Sequence, residues 1–173
     1  MRIYLIRHGE TDWNTQHRLQ GREDIALNEN GIRQARACGM AFCRIPVDCI
    51  VTSPLKRAVR TAELIAESLN HPEILVDPDF TERDFGRFSG MTPEQYERHR
   101  AQPDPHMEDW DALARRIVGA LRRYCEGPYR NVLVVSHGAA INAVLCFDGE
   151  SIKIEFCNLT PKEFAGITLS APL

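Results

Sequence analysis

Ile3-Tyr4-Leu5-Ile6-Arg7-His8-Gly9 places four consecutive apolar residues directly before an arginine, a histidine and a glycine. A strand with one wet face would alternate apolar and polar positions. This run does not, so it reads as a strand buried on both faces, as in a parallel sheet covered by helices. Cys49 to Thr52, Ile74 to Val76 and Val132 to Val135 have the same character, and Ile152 to Phe156 and Gly166 to Leu169 are weaker candidates for closing strands.

Between these runs the period changes to that of a helix. Asn28 stands as a cap before Ile32, Ala35, Gly39 and Phe42, which recur at three- and four-residue steps. Ser53-Pro54 predicts a second cap with proline at the first helical position, followed by a buried face of Ala58, Ala62, Ile65 and Leu69. Thr92 with Gln95 forms a capping-box pattern for a short polar helix ending near His99, and Trp110, Leu113, Ile117, Leu121 and Tyr124 mark a longer one. Strands alternating with helices imply a three-layer α/β/α fold with a mostly parallel central sheet. The 173 residues suit one domain spanning 1–173. Within it, the segment from about 91 to 112, with one brief helix and the loop Gln102-Pro103-Asp104-Pro105, reads as a reduced helical lid.

Composition narrows the partners. With 43% hydrophobic and 26% charged residues the chain has the balance of a globular protein, and its formal net charge is -3. That charge gives no global attraction for nucleic acid or an anionic membrane, so any bound anion must be held by a local cluster of cations. The apolar run before Arg7 is too short for a signal peptide or a spanning helix, which points to a cytoplasmic protein. The six cysteines, Cys38, Cys43, Cys49, Cys125, Cys146 and Cys157, include no C-x-x-C pair and read as buried free thiols.

In open α/β sheets ligands bind beyond the carboxyl ends of the strands. The first strand runs into Arg7-His8-Gly9-Glu10-Thr11, the second into Ser53-Pro54-Leu55-Lys56-Arg57, and the fourth into Ser136-His137-Gly138. Singly, each residue has an ordinary explanation: a hydrogen-bonded turn histidine, a surface arginine, a solvated helix face. Together, two imidazoles and two guanidinium groups at one sheet edge repel one another, an arrangement expected where a multiply charged anion sits among them. Phosphate oxygens match the planar fork of arginine, and Gly9 and Gly138 permit close backbone approach, so their amides are expected in a phosphate cradle. A metal site built from the histidines with Glu10, Glu82 or Asp84 fits poorly. Two permanent cations flank it, and neither H-x-x-x-H nor H-E-x-x-H occurs. No metal and no cofactor are therefore expected.

Leu5-Ile6-Arg7-His8-Gly9-Glu10-Thr11, with Asn14 following, resembles the signature of the histidine phosphatase superfamily, in its phosphoglycerate-mutase-like branch. Gly21, Asp24, Leu27, Gly31, Gln34 and Ala35 fit the family's next segment, and Ser53 to Ala62 its second arginine helix. Glu82 to Gly90 resembles its acid loop, and Val135-Ser136-His137-Gly138 its second histidine. The resemblance runs from Met1 to about Ile141, in order and at suitable spacing. It implies that His8 is the nucleophile that becomes phosphohistidine, that Arg7, Arg57 and His137 neutralise the phosphoryl oxygens with Asn14 as a further contact, and that Glu82 protonates the leaving alkoxide. The alternative for Glu82 is a salt bridge to Arg83 or Arg87.

The implied activity is metal-independent hydrolysis of a small phosphorylated metabolite, for example a sugar phosphate or a nucleoside phosphate such as α-ribazole phosphate. A phosphoglycerate mutase-type isomerase and a protein phosphohistidine phosphatase are the alternatives. The family's mutases have longer segments around the site and a longer C-terminal tail. A short lid leaves a phosphohistidine open to water, which favours hydrolysis. Arg98, His99, Arg100 and His106 read as a solvated face rather than a second anion site.

Overall fold

The computed structural model describes residues 1–102 and 104–145 with their side chains, and the backbone of Lys153–Cys157 and Gly166–Ser170. The strands are β1 (Arg2–Arg7), β2 (Cys49–Thr52), β3 (Glu73–Val76), β4 (Asn131–Ser136), β5 (Lys153–Cys157) and β6 (Gly166–Ser170). They form one sheet in the order β3-β2-β4-β1-β6-β5. β3, β2, β4 and β1 pair in parallel, whereas β6 is antiparallel to both β1 and β5. The mostly parallel sheet is thus present, closed by two strands near the expected positions. Ile152, which begins the expected fifth run, lies outside the described residues.

The helices among the described residues are α1 (Asp12–Thr15), α2 (Glu29–Phe42), α3 (Lys56–Ala66), α4 (Pro93–His99), α5 (Trp110–Cys125) and α6 (Gly138–Leu145). Successive strand residues face opposite ways, and two separate cores result. Ile3, Leu5, Val51, Val132 and Val134 pack with Leu113, Ile117 and Leu121 of α5 and Ile141 and Val144 of α6. Tyr4, Ile6, Ile50, Leu133 and Val135 pack with Cys38 and Phe42 of α2 and Ala58, Ala62 and Ile65 of α3. These are the three layers. Each fully buried Ile or Leu contributes about 1.5 to 3 kcal/mol over exposure, so the two-faced burial of β1 anchors the sheet.

Two helix starts occur as expected. Asn28 Oδ1 accepts from Gly31 N at 2.8 Å. Thr92 and Gln95 make the reciprocal capping box, with Pro93 in the first turn. The Ser53-Pro54 cap is a correction. Ser53 N still donates to Val135 O of β4 at 3.2 Å, so the chain remains in the sheet at this residue. Helix α3 begins only at Lys56, with Leu55 in the cap position and no side-chain cap bond; Asp24 Oδ1 accepts from Lys56 N at 2.7 Å instead. Helix α3 also ends at Ala66, short of Leu69.

Among the cysteines, Cys38 and Cys49 are buried and in no disulfide and Cys125 is half-buried, but Cys43 is exposed because it follows the last turn of α2. The side chains of Cys146 and Cys157 lie outside the described residues. Beyond α4 the chain is tied back to the acid-loop segment, since the Asp104 carboxylate accepts from Arg87 N at 2.7 Å and from His106 N at 2.9 Å. Among the described residues no helix is long and apolar enough to cross a membrane.

Candidate active site

Strand register brings the two histidines together. β1 and β4 are parallel neighbours with Arg7 opposite Ser136, so the next residues, His8 and His137, emerge side by side, their ring centroids 5.1 Å apart. Both continue the alternation of Ile6 and Val135 toward the α2/α3 layer, where α3 carries Arg57 in its first turn. Arg7 has the opposite parity and lies beside Gly138 at the start of α6. β2 is in register with β4, Thr52 opposite Val135, which leaves Ser53 Oγ 2.8 Å from His137 Nε2.

Arg57 is fully buried, and each guanidinium nitrogen has a partner. Nη1 donates to Glu23 O at 2.6 Å, Nη2 to Gly21 O at 2.8 Å, and Nε to His8 Nε2 at 3.2 Å. Burial lowers its pKa to about 10, so it stays protonated near neutrality. Because a guanidinium only donates, His8 Nε2 must present a lone pair. The second contact agrees: His8 Nδ1 is 2.7 Å from Gly9 O, a pure acceptor, and therefore carries the proton. Burial, then the charges of Arg57 and Arg7, hold the His8 pKa well below the ordinary histidine value. The result is a neutral imidazole with its Nε2 lone pair held under a cation, the state a nucleophile needs.

Glu82 reaches the same place from the opposite layer. Its carboxylate accepts from Arg83 N at 2.9 Å, Ala140 N at 3.0 Å and Ala139 N at 3.2 Å, so it sits on the open amides of the first turn of α6. Those amides and Arg57 favour the charged form, but burial outweighs them and raises the pKa above the usual carboxyl value. Neither Arg83 nor Arg87 makes a salt bridge to it: Arg83 Nε donates to Glu108 O at 2.8 Å and Arg87 Nη2 to Gln102 O at 2.6 Å. Arg7, His8, Arg57 and Glu82 line one cavity of about 250 Å³. Among the described residues no group of three His, Cys, Asp or Glu side chains is placed to hold a metal ion.

The remaining expected contacts divide. Asn14 lines the cavity. Its Oδ1 accepts from Thr11 N and Thr11 Oγ1, both at 3.0 Å, which turns Nδ2 away from that cap. Gly138 also lines the cavity, as the first residue of α6. Gly9 is a correction: its amide donates to Thr61 Oγ1 at 3.0 Å and is not open to a phosphate. Its small size serves packing instead, because a Cβ there would lie 2.5 Å from Gly31 O of α2.

Sequence reasoning missed the outer wall of the cavity, where Arg18, Gln20, Phe85, Trp110 and Asn142 stand. These come from four separate segments, and only the fold assembles them. It also missed Ser53, although the rule that nominated the other strand ends applies to it equally.

Residues 3–154 match the family model described as the histidine phosphatase superfamily, branch 1. The chain is 49% identical over 147 residues to a Bacillus subtilis protein named "uncharacterized phosphatase PhoE", covering 83% of this chain and 75% of that one. It is 35% identical over 158 residues to a Cronobacter sakazakii protein named "probable phosphoglycerate mutase GpmB", covering 84% and 73%. Among solved structures, the phosphoserine phosphatase of Entamoeba histolytica in complex with 3-phosphoglyceric acid superposes with a TM-score of 0.71 at 30% identity, over 83% of this chain and 77% of that one.

Proposed function

The chain belongs to the histidine phosphatase superfamily, branch 1, and from that premise we propose that it hydrolyses phosphomonoesters through a phosphohistidine formed on His8. One observation carries the reading: a neutral imidazole presents its Nε2 lone pair to a cavity walled by Arg7 and Arg57, with a buried, protonation-prone carboxyl at the same cavity.

In the first half-reaction His8 Nε2 attacks phosphorus. The bond from phosphorus to the ester oxygen breaks, and Glu82 gives its proton to the departing alkoxide. Arg57 Nε turns from the imidazole lone pair to a phosphoryl oxygen, joined by Arg7, Asn14 and His137. In the second half-reaction water attacks phosphorus, the bond to His8 Nε2 breaks and returns its electron pair to the imidazole, the Glu82 carboxylate takes a proton from the water, and inorganic phosphate leaves. Phosphoryl transfer requires chiefly positioning and charge stabilisation, which these groups supply without a metal. The substrate class is a small phosphorylated metabolite such as a sugar or nucleoside phosphate, α-ribazole phosphate among them, with no nucleic acid or membrane partner and a cytoplasmic setting.

A screen of phosphorylated metabolites with wild type and His8→Ala, each with and without chelator, tests this. Wild type releases phosphate with chelator present, His8→Ala does not, and an alkaline quench traps a phosphoryl group on the peptide containing His8. Activity that vanishes with chelator returns the metal reading. The similarity to a protein named as a mutase supports an isomerase as the second reading; interconversion of 2- and 3-phosphoglycerate faster than any hydrolysis would establish it.

A further inference from the structure

Ser53 and His137 form a fully buried pair whose hydrogens can be placed by elimination. Leu55 N donates to Ser53 Oγ at 3.2 Å, and the other partner of that hydroxyl is His137 Nε2 at 2.8 Å. His137 Nδ1 is buried and has no hydrogen-bond partner among the described residues. Two arrangements are possible. If Ser53 donates to Nε2, the ring proton sits on Nδ1, and one group, the Nδ1–H, lacks a partner. If Nε2–H donates to Ser53, the hydroxyl hydrogen has no acceptor and the Nδ1 lone pair has no donor, so two buried groups go unpaired. Buried polar groups resist being left unpaired, which selects the first.

We propose that Ser53 is a positioning residue that holds the His137 proton on Nδ1, where it bonds an oxygen of the phosphoryl group being transferred to His8. The consequence is one of sign. A neutral imidazole has one N–H and one lone pair, and against a phosphoryl oxygen the first attracts whereas the second repels. The rings of His8 and His137 are 5.1 Å apart and tilted by 57°, so phosphorus bound at His8 brings an oxygen within reach of the second ring. Burial and the neighbouring charges keep His137 neutral, so there is a single proton to place. The buried Nδ1–H, which has no protein partner among the described residues, then gains a charged acceptor in the phosphoryl oxygen. The role in transfer rests on the function proposed above; the tautomer does not.

Long-range proton–nitrogen correlation spectra of the histidine-labelled protein read the tautomer directly. His8 provides an internal reference, because Gly9 O fixes its proton on Nδ1. His137 is expected to show a proton-bearing Nδ1 and a bare Nε2. Ser53→Ala should move the proton toward Nε2 and lower kcat about 10- to 100-fold, as loss of an orienting partner does elsewhere, with KM little changed. Ser53→Thr, which keeps the hydroxyl, should restore both the spectrum and kcat. A bare His137 Nδ1 in active wild type overturns the proposal, as does a Ser53→Ala protein with unchanged tautomer and kcat. A wild type that hydrolyses no phosphomonoester is a different failure, that of the function, and the spectrum still reports the proton.

Discussion

Two arginines in this molecule do the same structural work with opposite electrical outcomes. Arg57 donates to the carbonyls of Gly21 and Glu23, and Arg116 to those of Asp79 and Thr81; each ties a loop to a helix. The difference is the third partner. Arg116 closes on the Glu108 carboxylate, with Nε at 2.9 Å and Nη2 at 2.8 Å, so its charge is neutralised within the fold. Arg57 closes on a neutral imidazole, and neither it nor Arg7 makes a salt bridge among the described residues. Where stability alone is at stake the chain supplies an anion with the cation. Arg57 has no ion pair among the described residues and feels Glu82 and Asp24 only through space, which leaves its guanidinium available to the phosphate of the reaction proposed above.

Replacing each arginine should separate these roles. Arg57→Gln is expected to lower kcat/KM by about 10³-fold or more, since it removes the cation nearest the transferring oxygens. A loss below tenfold, in a protein whose fold is intact by circular dichroism, would place the phosphate elsewhere. Glu82→Gln comes next. It should cost about 10²-fold on alkyl phosphates, yet little on p-nitrophenyl phosphate, whose leaving group needs no proton. Wild-type activity should fall as pH rises through the elevated Glu82 pKa, and Glu82→Gln should lack that fall. Equal losses on both substrates would deny Glu82 its role as acid. Arg116→Met leaves Glu108, whose side chain is 13% exposed, with only Arg22 Nη2 at 3.6 Å and the Asp84 amide at 3.3 Å among the described residues, and should destabilise by about 1 to 3 kcal/mol in urea unfolding. Its effect on kcat should stay well below that of Arg57→Gln, or the contrast between the two arginines fails.

The sequence disclosed the site unevenly, and the reason is geometric. Arg7, His8 and His137 fall within two residues of the end of an apolar run, so the strand-end rule located them; Arg57 lies within the first helical turn after one, and Glu82 stood out only within a longer pattern. Gly9 also follows β1, but its amide partner Thr61 is 52 residues away, and nothing local announces it. Ser53 was misread for a related reason. Ser-Pro is a sound local signal for a helix start, and only the register of β2 against β4 shows the residue still paired and turned toward His137. Helix α6 escaped notice because Ala139-Ala140-Ile141 and Ala143-Val144-Leu145 leave almost no polar face, so no helical stripe appears. The outer wall of the cavity was illegible altogether, being made by side chains that meet only after folding.

The smallest expected effect contrasts the same two regions through their response to acid. Below the ordinary histidine value of about 6.5 the unfolded chain protonates His8 and His137, whereas the folded chain, with both pKa values held well below that, does not. The unfolded state therefore binds more protons, and stability falls as pH drops through this range, by at most about 1.4 kcal/mol per pH unit for each ring. Glu82 works in the other direction. Its raised pKa makes the folded state hold the extra proton between the unfolded carboxyl value and its own, so stability rises as pH drops across that window. The rings and the carboxyl therefore oppose one another wherever their windows overlap, and removing one ring isolates its share. Urea unfolding of wild type and His8→Asn between about pH 6.5 and 5.5 measures the share of His8, and the variant should be flatter by at most about 1.4 kcal/mol per unit. At the periphery, Arg123 pairs with Asp77 and Asp79 at 3.1 and 2.7 Å while 55% exposed, so Arg123→Gln should change stability by less than about 1 kcal/mol and leave the slope alone. If His8→Asn keeps the wild-type slope, the imidazole titrates as it would in water, and the neutral nucleophile held under a buried cation is not what the fold builds.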